Sequence, residues 1–330
     1  MPDIPENLLA YFVGRTIMIT GAGGFIGSNL GEVLSDVDCT LILLSRSESK
    51  LKGNKAKIKT RLSDLRKPSD WVDLIPEVDI IFHLASQTSV YSAEQDPLGD
   101  AQTNIECMIN LLEAVRKSKN QTALIYAGTV TQAGMPENIP MDESAPDNPI
   151  TLYDISKLTA ERYLMHYIRK GWALGASLRL ANVYGPSRGS SKPGRGILNS
   201  IIQRALEGEE MFVYNNGIYI RDYIFITDVI TAFLHAPSQI PKLNGRYFIV
   251  SGGKGITIRD AFQTAIDQTA KYSNKKLELT SKSLPEGLSE IETRNFIGDS
   301  TAFSKITNWS PKFSLEMGIS QTVNSYLSIK

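Results

Sequence analysis

Short, unbroken apolar runs punctuate the first half of the chain: Ile17-Met18-Ile19, Leu41-Ile42-Leu43-Leu44, Ile80-Ile81-Phe82 within 79–84, and Ala123-Leu124-Ile125-Tyr126. Runs of that length without polar alternation predict strands buried on both faces. Between them apolar residues recur at helical spacing, over 25–34 directly after a cluster of glycines and over about 100–117, where Ile105, Ile109, Leu112 and Val115 fall on related faces. Strand and helix signals in alternation predict a parallel sheet with helices on both sides, an α/β fold. The second half is less regular. Residues 153–169 continue as helix and 176–180 as a strand, whereas 184–196 is rich in Gly, Pro, Ser and Arg and predicts an exposed functional loop. Helical spacing returns over 197–206, 227–235 and 258–270, and Tyr247-Phe248-Ile249-Val250 reads as a further strand. A soft boundary near residue 180 is expected, with later segments returning to the first unit.

Composition narrows the classes. At 330 residues, 42% hydrophobic and 21% charged, the chain is long enough for one large core with a smaller appendage. Formal net charge is zero and the basic residues are dispersed, which argues against a nucleic-acid groove or a polybasic membrane patch. Cys39 and Cys107 form no close pair, and His83, His166 and His235 have no metal-ligand spacing, so no metal site is expected. Residues 1–15 include Asp3 and Glu6 and only a short apolar run at 8–13, which fits neither a signal peptide nor a membrane span. The cytoplasm is the expected compartment.

Chemistry enters with Thr20-Gly21-Ala22-Gly23-Gly24-Phe25-Ile26-Gly27 between the first strand and the first helix. Gly21, Gly24 and Gly27 let the backbone turn tightly and bring the helix amides, from Phe25 and Ile26 onward, against a pyrophosphate. A dinucleotide is therefore expected. The end of the second strand distinguishes the two common ones: Ser45 followed by Arg46 offers a hydroxyl and a guanidinium to a 2′-phosphate where an acidic residue would repel it, which favours NADP(H) over NAD(H). Asp64-Leu65, after the expected third strand, is placed to bracket the adenine. Further along, Tyr153-Asp154-Ile155-Ser156-Lys157 sets a phenol and an ammonium four residues apart, on one face of a helix. A free phenol titrates near 10, so proton transfer near neutrality needs a drop of about 3 units, about 4 kcal/mol. The Lys157 charge and a cationic nicotinamide are the sources of that shift. Thr129, just past a buried strand, offers a hydroxyl to a substrate oxygen, and the three residues together suit hydride transfer at a carbinol carbon.

With those motifs stand His83-Leu84-Ala85-Ser86, Arg179-Leu180-Ala181-Asn182-Val183-Tyr184-Gly185-Pro186 and Arg221-Asp222-Tyr223-Ile224-Phe225-Ile226-Thr227-Asp228-Val229. From about residue 16 to about 326 the chain resembles the extended short-chain dehydrogenase/reductase family, in particular its nucleotide-sugar epimerases, dehydratases and ketoreductases. The resemblance implies a Rossmann-type doubly wound parallel sheet with a smaller C-terminal α/β part. It divides the chain into a dinucleotide-binding domain over 1–180 and a mainly nucleotide-sugar-binding domain over 181–330. It further implies that Leu84, Ala85 and Ser86 line the cofactor, that Asn182 and Arg221 contact the substrate diphosphate, and that Asn199 lies on the nucleotide. A homodimer through the helices near 100–117 and 153–169 is implied as well.

Departures from the family pattern also carry information. Sugar 4,6-dehydratases place Asp-Glu after the active-site threonine, whereas Val130-Thr131 stands here, which argues against dehydration. The usual Tyr-Gly is Ala133-Gly134. A late Arg-x-x-Asp turn is replaced by Ser289-Glu290-Ile291-Glu292, with Arg294 nearby. Three functions remain open. NADP(H)-dependent reduction of a 4-keto nucleotide sugar comes first because it suits Ser45-Arg46, a C4 epimerase with retained cofactor comes second, and a non-catalytic NADP(H)-binding regulator third.

Overall fold

The structure is a computed structural model and describes residues 4–46, 51–68, 71, 75–118, 121–187, 196–272 and 276–328. Most of the loop expected at 184–196 lies outside them, at 188–195. Seven parallel strands form the main sheet: β1 (Thr16–Thr20), β2 (Thr40–Ser45), β3 (Lys57–Leu62), β4 (Ile80–His83), β5 (Ala123–Thr129), β6 (Leu174–Leu180) and β10 (Tyr247–Val250). Their order is β10-β6-β5-β4-β1-β2-β3, so the winding reverses between β1 and β4. In such sheets ligands bind outside the carboxyl ends of the strands at that reversal. The last strand of the sheet comes from the C-terminal half and pairs with β6 through Tyr247–Val250.

The continuous apolar runs are strands because both their faces are covered. Ile17, Ile19, Leu41 and Leu43 point into one core cluster, and Met18, Ile42, Leu44 and Ile81 point into a second on the opposite face. The first cluster is covered by α1 (Phe25–Leu34), and the second by α2 (Cys107–Ser118) and α3 (Leu152–Arg169). At an apolar side-chain burial of about 1.5–3 kcal/mol each, these two layers are the main source of stability. The remaining long helices are α4 (Ile197–Glu207), α5 (Ile226–His235), α6 (Ile258–Thr269) and α7 (Leu315–Leu327). They accompany a small sheet of β7 (Asn182–Tyr184), β9 (Ile220–Phe225) and β11 (Gly255–Thr257), and a parallel pair of β8 (Met211–Tyr214) and β12 (Leu279–Lys282). No helix among the described residues is long and apolar enough to cross a membrane.

One helix differs from its expected course. A helical turn at Pro97–Ala101 leads into a π turn, Gln102–Glu106, before α2 begins. The wider turn rotates the following face, so Ile105 and Ile109 are only half-buried while Met108, Leu111, Leu112 and Val115 are covered. The residue turned inward is Asn104.

Candidate active site

A cavity of about 1190 Å³ opens at the carboxyl ends of the main strands. At one end it is walled by the turn from β1 into α1, with Gly21, Gly23, Gly24, Phe25, Ile26 and Gly27 on its surface. Gly21 has φ +67°, and a Cβ there would stand 2.8 Å from Ala85 Cα. A Cβ on Gly27 would stand 2.3 Å from the Gly21 carbonyl oxygen. Side chains are thus excluded where α1 presents its first amides, a cradle that fits the pyrophosphate of a dinucleotide. Ser45, Arg46, Asp64 and Leu65 line the same end. Asp64 receives two bonds from Arg66, Nε at 2.8 Å and Nη2 at 2.6 Å.

The loop after β4 is pinned from beneath. Leu84 N and Ala85 N both donate to Thr20 Oγ1 at 3.1 Å, and His83 Nδ1 lies 2.9 Å from the same oxygen. Burial pushes the His83 imidazole down to about 3, so it is neutral and packs on Tyr126 as an apolar plate. Ser86 Oγ donates to Asn104 Oδ1 at 2.7 Å, Gln87 N donates to the same oxygen at 3.1 Å, and Asn104 Nδ2 donates to Asp100 Oδ1 at 2.9 Å. This network behind the loop was not singled out by sequence. Its only trace there is a pair of polar residues four apart, Asp100 and Asn104, inside an amphipathic helix, and the π turn that aims them inward has no spacing signature.

Thr129, Tyr153 and Lys157 all face the cavity. Thr129 ends β5 and caps the following 3-10 turn: Thr131 N donates to its Oγ1 at 3.3 Å, and Gln132 Oε1 accepts from Thr129 N at 2.9 Å. Its hydroxyl lies 2.9 Å from that of Thr131. Thr151 caps α3, which places Tyr153 in the first turn and Lys157 one turn on. Lys157 is buried, donates to the Ala127 carbonyl at 2.7 Å and sits 4.2 Å over the Tyr126 ring. Burial pulls its pKa down to about 7 against the opposing charges of Glu161 and Asp100.

Asn182, with Leu180, Ala181, Val183, Leu198 and Tyr223, forms the other end of the cavity. Asn199 and Arg221 are not among its lining residues. Asn199 is wholly buried in α4, where its Oδ1 accepts from Gly185 N at 2.9 Å. Arg221 is buried too; its guanidinium donates to the carbonyls of Ile220, Arg294 and Glu292. Asp222, next to it, is occupied by Gly252, Gly253 and Gly298 amides. Arg294 lies beside Asn182, with Nη2 3.5 Å from Asn182 Oδ1.

Residues 17–249 match the NAD dependent epimerase/dehydratase family. Among similar proteins, UDP-glucose 4-epimerase of Mycolicibacterium smegmatis is 29% identical over 318 residues, covering 94% of this chain and 97% of the other. UDP-glucose 4-epimerase of Thermotoga maritima, solved with UDP-glucose, is 28% identical with a TM-score of 0.83, over 95% of this chain and 99% of that one. The Thermus thermophilus UDP-glucose 4-epimerase, solved with NAD, is 25% identical with a TM-score of 0.79, over 96% and 100%.

These likenesses correct the expected preference for NADP(H). The Thermus thermophilus protein, 25% identical, was solved with NAD; NADPH is found in RMD from Pseudomonas aeruginosa, 22% identical to this chain. Arg46 is an exposed side chain at the rim of the cavity, in a stretch that also carries Lys52 and Lys55, and such a charge does not by itself demand a 2′-phosphate. The glycine cradle, the Tyr153–Lys157 turn and a likeness that runs the length of the chain lead to one conclusion: the protein belongs to the NAD dependent epimerase/dehydratase family, extended short-chain dehydrogenase/reductase enzymes that modify nucleotide sugars.

Proposed function

We propose that this protein is a nucleotide-sugar 4-epimerase working with NAD(H) on a uridine diphosphate hexose. The observation that carries the reading is that Thr129, Tyr153 and Lys157 line one cavity with the glycine turn, in a chain similar over nearly its full length to UDP-glucose 4-epimerases. This reverses the order drawn from Ser45-Arg46, which put net reduction of a 4-keto sugar first.

A nicotinamide dinucleotide held at the cradle would supply the group that accepts hydride from C4 of the sugar and gives it back. Tyr153 takes the proton of the C4 hydroxyl and gives it back. Lys157 directs one of its three N–H donors to the Ala127 carbonyl, leaving two for the nicotinamide ribose and the phenol side. Thr129 accepts from the Thr131 amide and presents its own hydroxyl proton to the C4 oxygen. Leu84, Ala85 and Ser86, held by Thr20 and Asn104, border the cofactor, with Ser45 and Asp64-Leu65 at the adenosine end. Asn182 and Arg221 take the diphosphate, and three of the five Arg221 donors are already fixed on carbonyls, so the guanidinium is pre-oriented. Asn199 shapes the turn at Gly185 beside the nucleotide.

The test is to incubate purified protein with UDP-glucose or UDP-galactose. Interconversion without net change at 340 nm, and without label from added 4-deuterated cofactor, is expected. Oxidation of one reduced cofactor per product would instead establish a ketoreductase. A homodimer belongs to the same reading: Tyr91 and Leu98 on the segment before the π turn, and Ile155 and Tyr163 on α3, are exposed. Sedimentation at micromolar concentration checks it, and a species of 36.4 kDa alone would exclude it.

A further inference from the structure

Arg294 is a charged residue that sequence and family pattern leave without a task. It follows the 3-10 turn Glu290–Thr293, and its backbone carbonyl is one of the three that hold Arg221. Its side chain runs inward and is only 6% exposed. Nη2 approaches Asn182 Oδ1 on the cavity wall, while Nε and Nη1 have no hydrogen-bond partner. Each edge of the guanidinium fork therefore holds one unengaged nitrogen next to the one that faces Asn182. Burial, then repulsion from Arg221, pulls its pKa down to about 10, still far above neutrality, so the charge is retained.

Neither buried arginine is among the residues that line the cavity; Arg294 stands directly behind Asn182, which does line it. The charges that bear on Arg221 are Tyr223, Glu292 and Tyr219. Those on Arg294 are Arg221, Asp154, Glu292 and Tyr153; Glu292 is common to both arginines, whereas Asp154 and Tyr153 belong to the end where C4 of the sugar would react. Asp154 is wholly buried; its Oδ2 accepts from Thr151 Oγ1 at 2.7 Å, and its Oδ1 has no partner. No salt bridge joins Asp154 to Arg294 among the described residues, so the carboxylate moderates the cation without occupying its donors. A cation enclosed in this way is costly until an acceptor with a matching charge reaches it. On the proposed reading the diphosphate falls to Asn182 and Arg221. The remaining part of the substrate near Tyr153 and Asn182 is the sugar ring.

We propose that Arg294 is a specificity-determining residue for an acidic sugar, its guanidinium taking the carboxylate of a nucleotide-linked hexuronate. The proposal rests on the 4-epimerase reading for the identity of the site and names the sugar class. A planar fork meets a carboxylate along either edge, whereas a hydroxyl or hydroxymethyl group in the same place satisfies one donor and no charge.

Calorimetric titration of the NAD-loaded protein with UDP, UDP-glucose and UDP-glucuronate tests this. UDP-glucuronate should bind about tenfold or more tightly than UDP-glucose, the range of a charged hydrogen bond. Arg294→Gln should abolish that preference while leaving affinity for UDP and UDP-glucose within about threefold, and Arg294→Lys should restore part of it. Equal affinity of the wild type for both sugars would overturn the assignment, as would an Arg294→Gln protein that loses UDP along with UDP-glucuronate, which is the mark of a diphosphate ligand. The wild-type comparison needs no variant to fold. Preferential binding of UDP-glucuronate with no C4 interconversion would sink the 4-epimerase reading and leave Arg294 as assigned.

Discussion

At the dinucleotide end the glycine turn walls the cavity with backbone, and at the sugar end Asn182 stands among apolar side chains with the buried Arg294 behind it. Gly21, Gly24 and Gly27 work through the absence of a Cβ, within one strand–helix turn. Asn182 and Arg294 come together across 112 residues of chain, and Arg221 reaches the carbonyl of Glu292 across 71. A backbone site is set by local sequence and tolerates little, because any added atom strikes a main-chain atom. A side-chain site is set by distant segments and is changed by single substitutions, which suits the end of the cavity that must distinguish sugars. The same contrast recurs between two buried arginines. Arg179 is paired with Glu161 at 2.5 Å and Asp147 at 2.6 Å and stacks 3.6 Å from the Tyr247 ring. Burial opposes its charge, but these partners raise its pKa overall. Among the described residues Arg294, also buried, has no such carboxylate partner, and its Nε and Nη1 make no hydrogen bond.

The largest effect should come from the chemistry between the two ends. Tyr153→Phe keeps the ring and removes the oxygen that carries the proton. Turnover should fall by about 10²- to 10⁴-fold while NAD affinity stays nearly unchanged, as read by steady-state rates and by cofactor titration. A variant that keeps more than about a tenth of the rate would remove Tyr153 from the proton-transfer role.

Next in size is the test of the two arginines. Arg179→Met strips the cation from buried Glu161 and leaves Asp147 with Arg162 alone, and should cost about 3–5 kcal/mol of stability. Arg294→Met removes a charge with unengaged donors and should leave stability unchanged or raised. Urea unfolding of both variants checks the pair. Equal losses would mean that Arg294 is a structural cation like Arg179.

How far the sequence foretold this structure depends on the same division. The strands at 17–19, 41–44, 80–82 and 123–126 were readable because each is apolar on both faces, and the glycine turn because its spacing is local. The tilt of the helix face near 105–109 was not, since the π turn at Gln102–Glu106 leaves no periodic mark and exchanges Ile105 for Asn104 on the inner side. Nor was the setting of Arg294, which depends on a turn more than a hundred residues from Asn182. Ser45-Arg46 misled for a related reason: its residue types suit a 2′-phosphate, yet an exposed side chain such as Arg46 is not committed to one by its neighbours.

At the backbone end, Gly27→Ala should weaken cofactor binding without reaching the sugar end. The added methyl would lie 2.3 Å from the Gly21 carbonyl oxygen and 2.9 Å from Ala22 Cα, neither of which is a flexible side chain. Overpacking of this kind costs about 1–3 kcal/mol. Cofactor titration should therefore show a loss of about 10- to 100-fold. An unchanged affinity would show that the turn can relax, and the claim that this end tolerates little would fail.

The last effect is a pH dependence carried by Lys157, where the two ends meet. Its folded pKa, near 7, lies below the ordinary value of 10.5 because burial disfavours the ammonium. Between those values the unfolded chain binds more protons than the folded one, so this group makes stability rise with pH from about 7 toward 10, and its penalty is fully present below 7. Lys157→Met removes the penalty. In cofactor-free protein the variant should be more stable than the wild type at pH 6, and the difference should shrink by pH 9; one unit of the shift alone corresponds to about 1.4 kcal/mol. Thermal melting of both proteins at the two pH values measures it. A difference that does not change with pH would place the Lys157 ammonium in a solvated setting and remove burial as the force that brings its pKa toward that of its task.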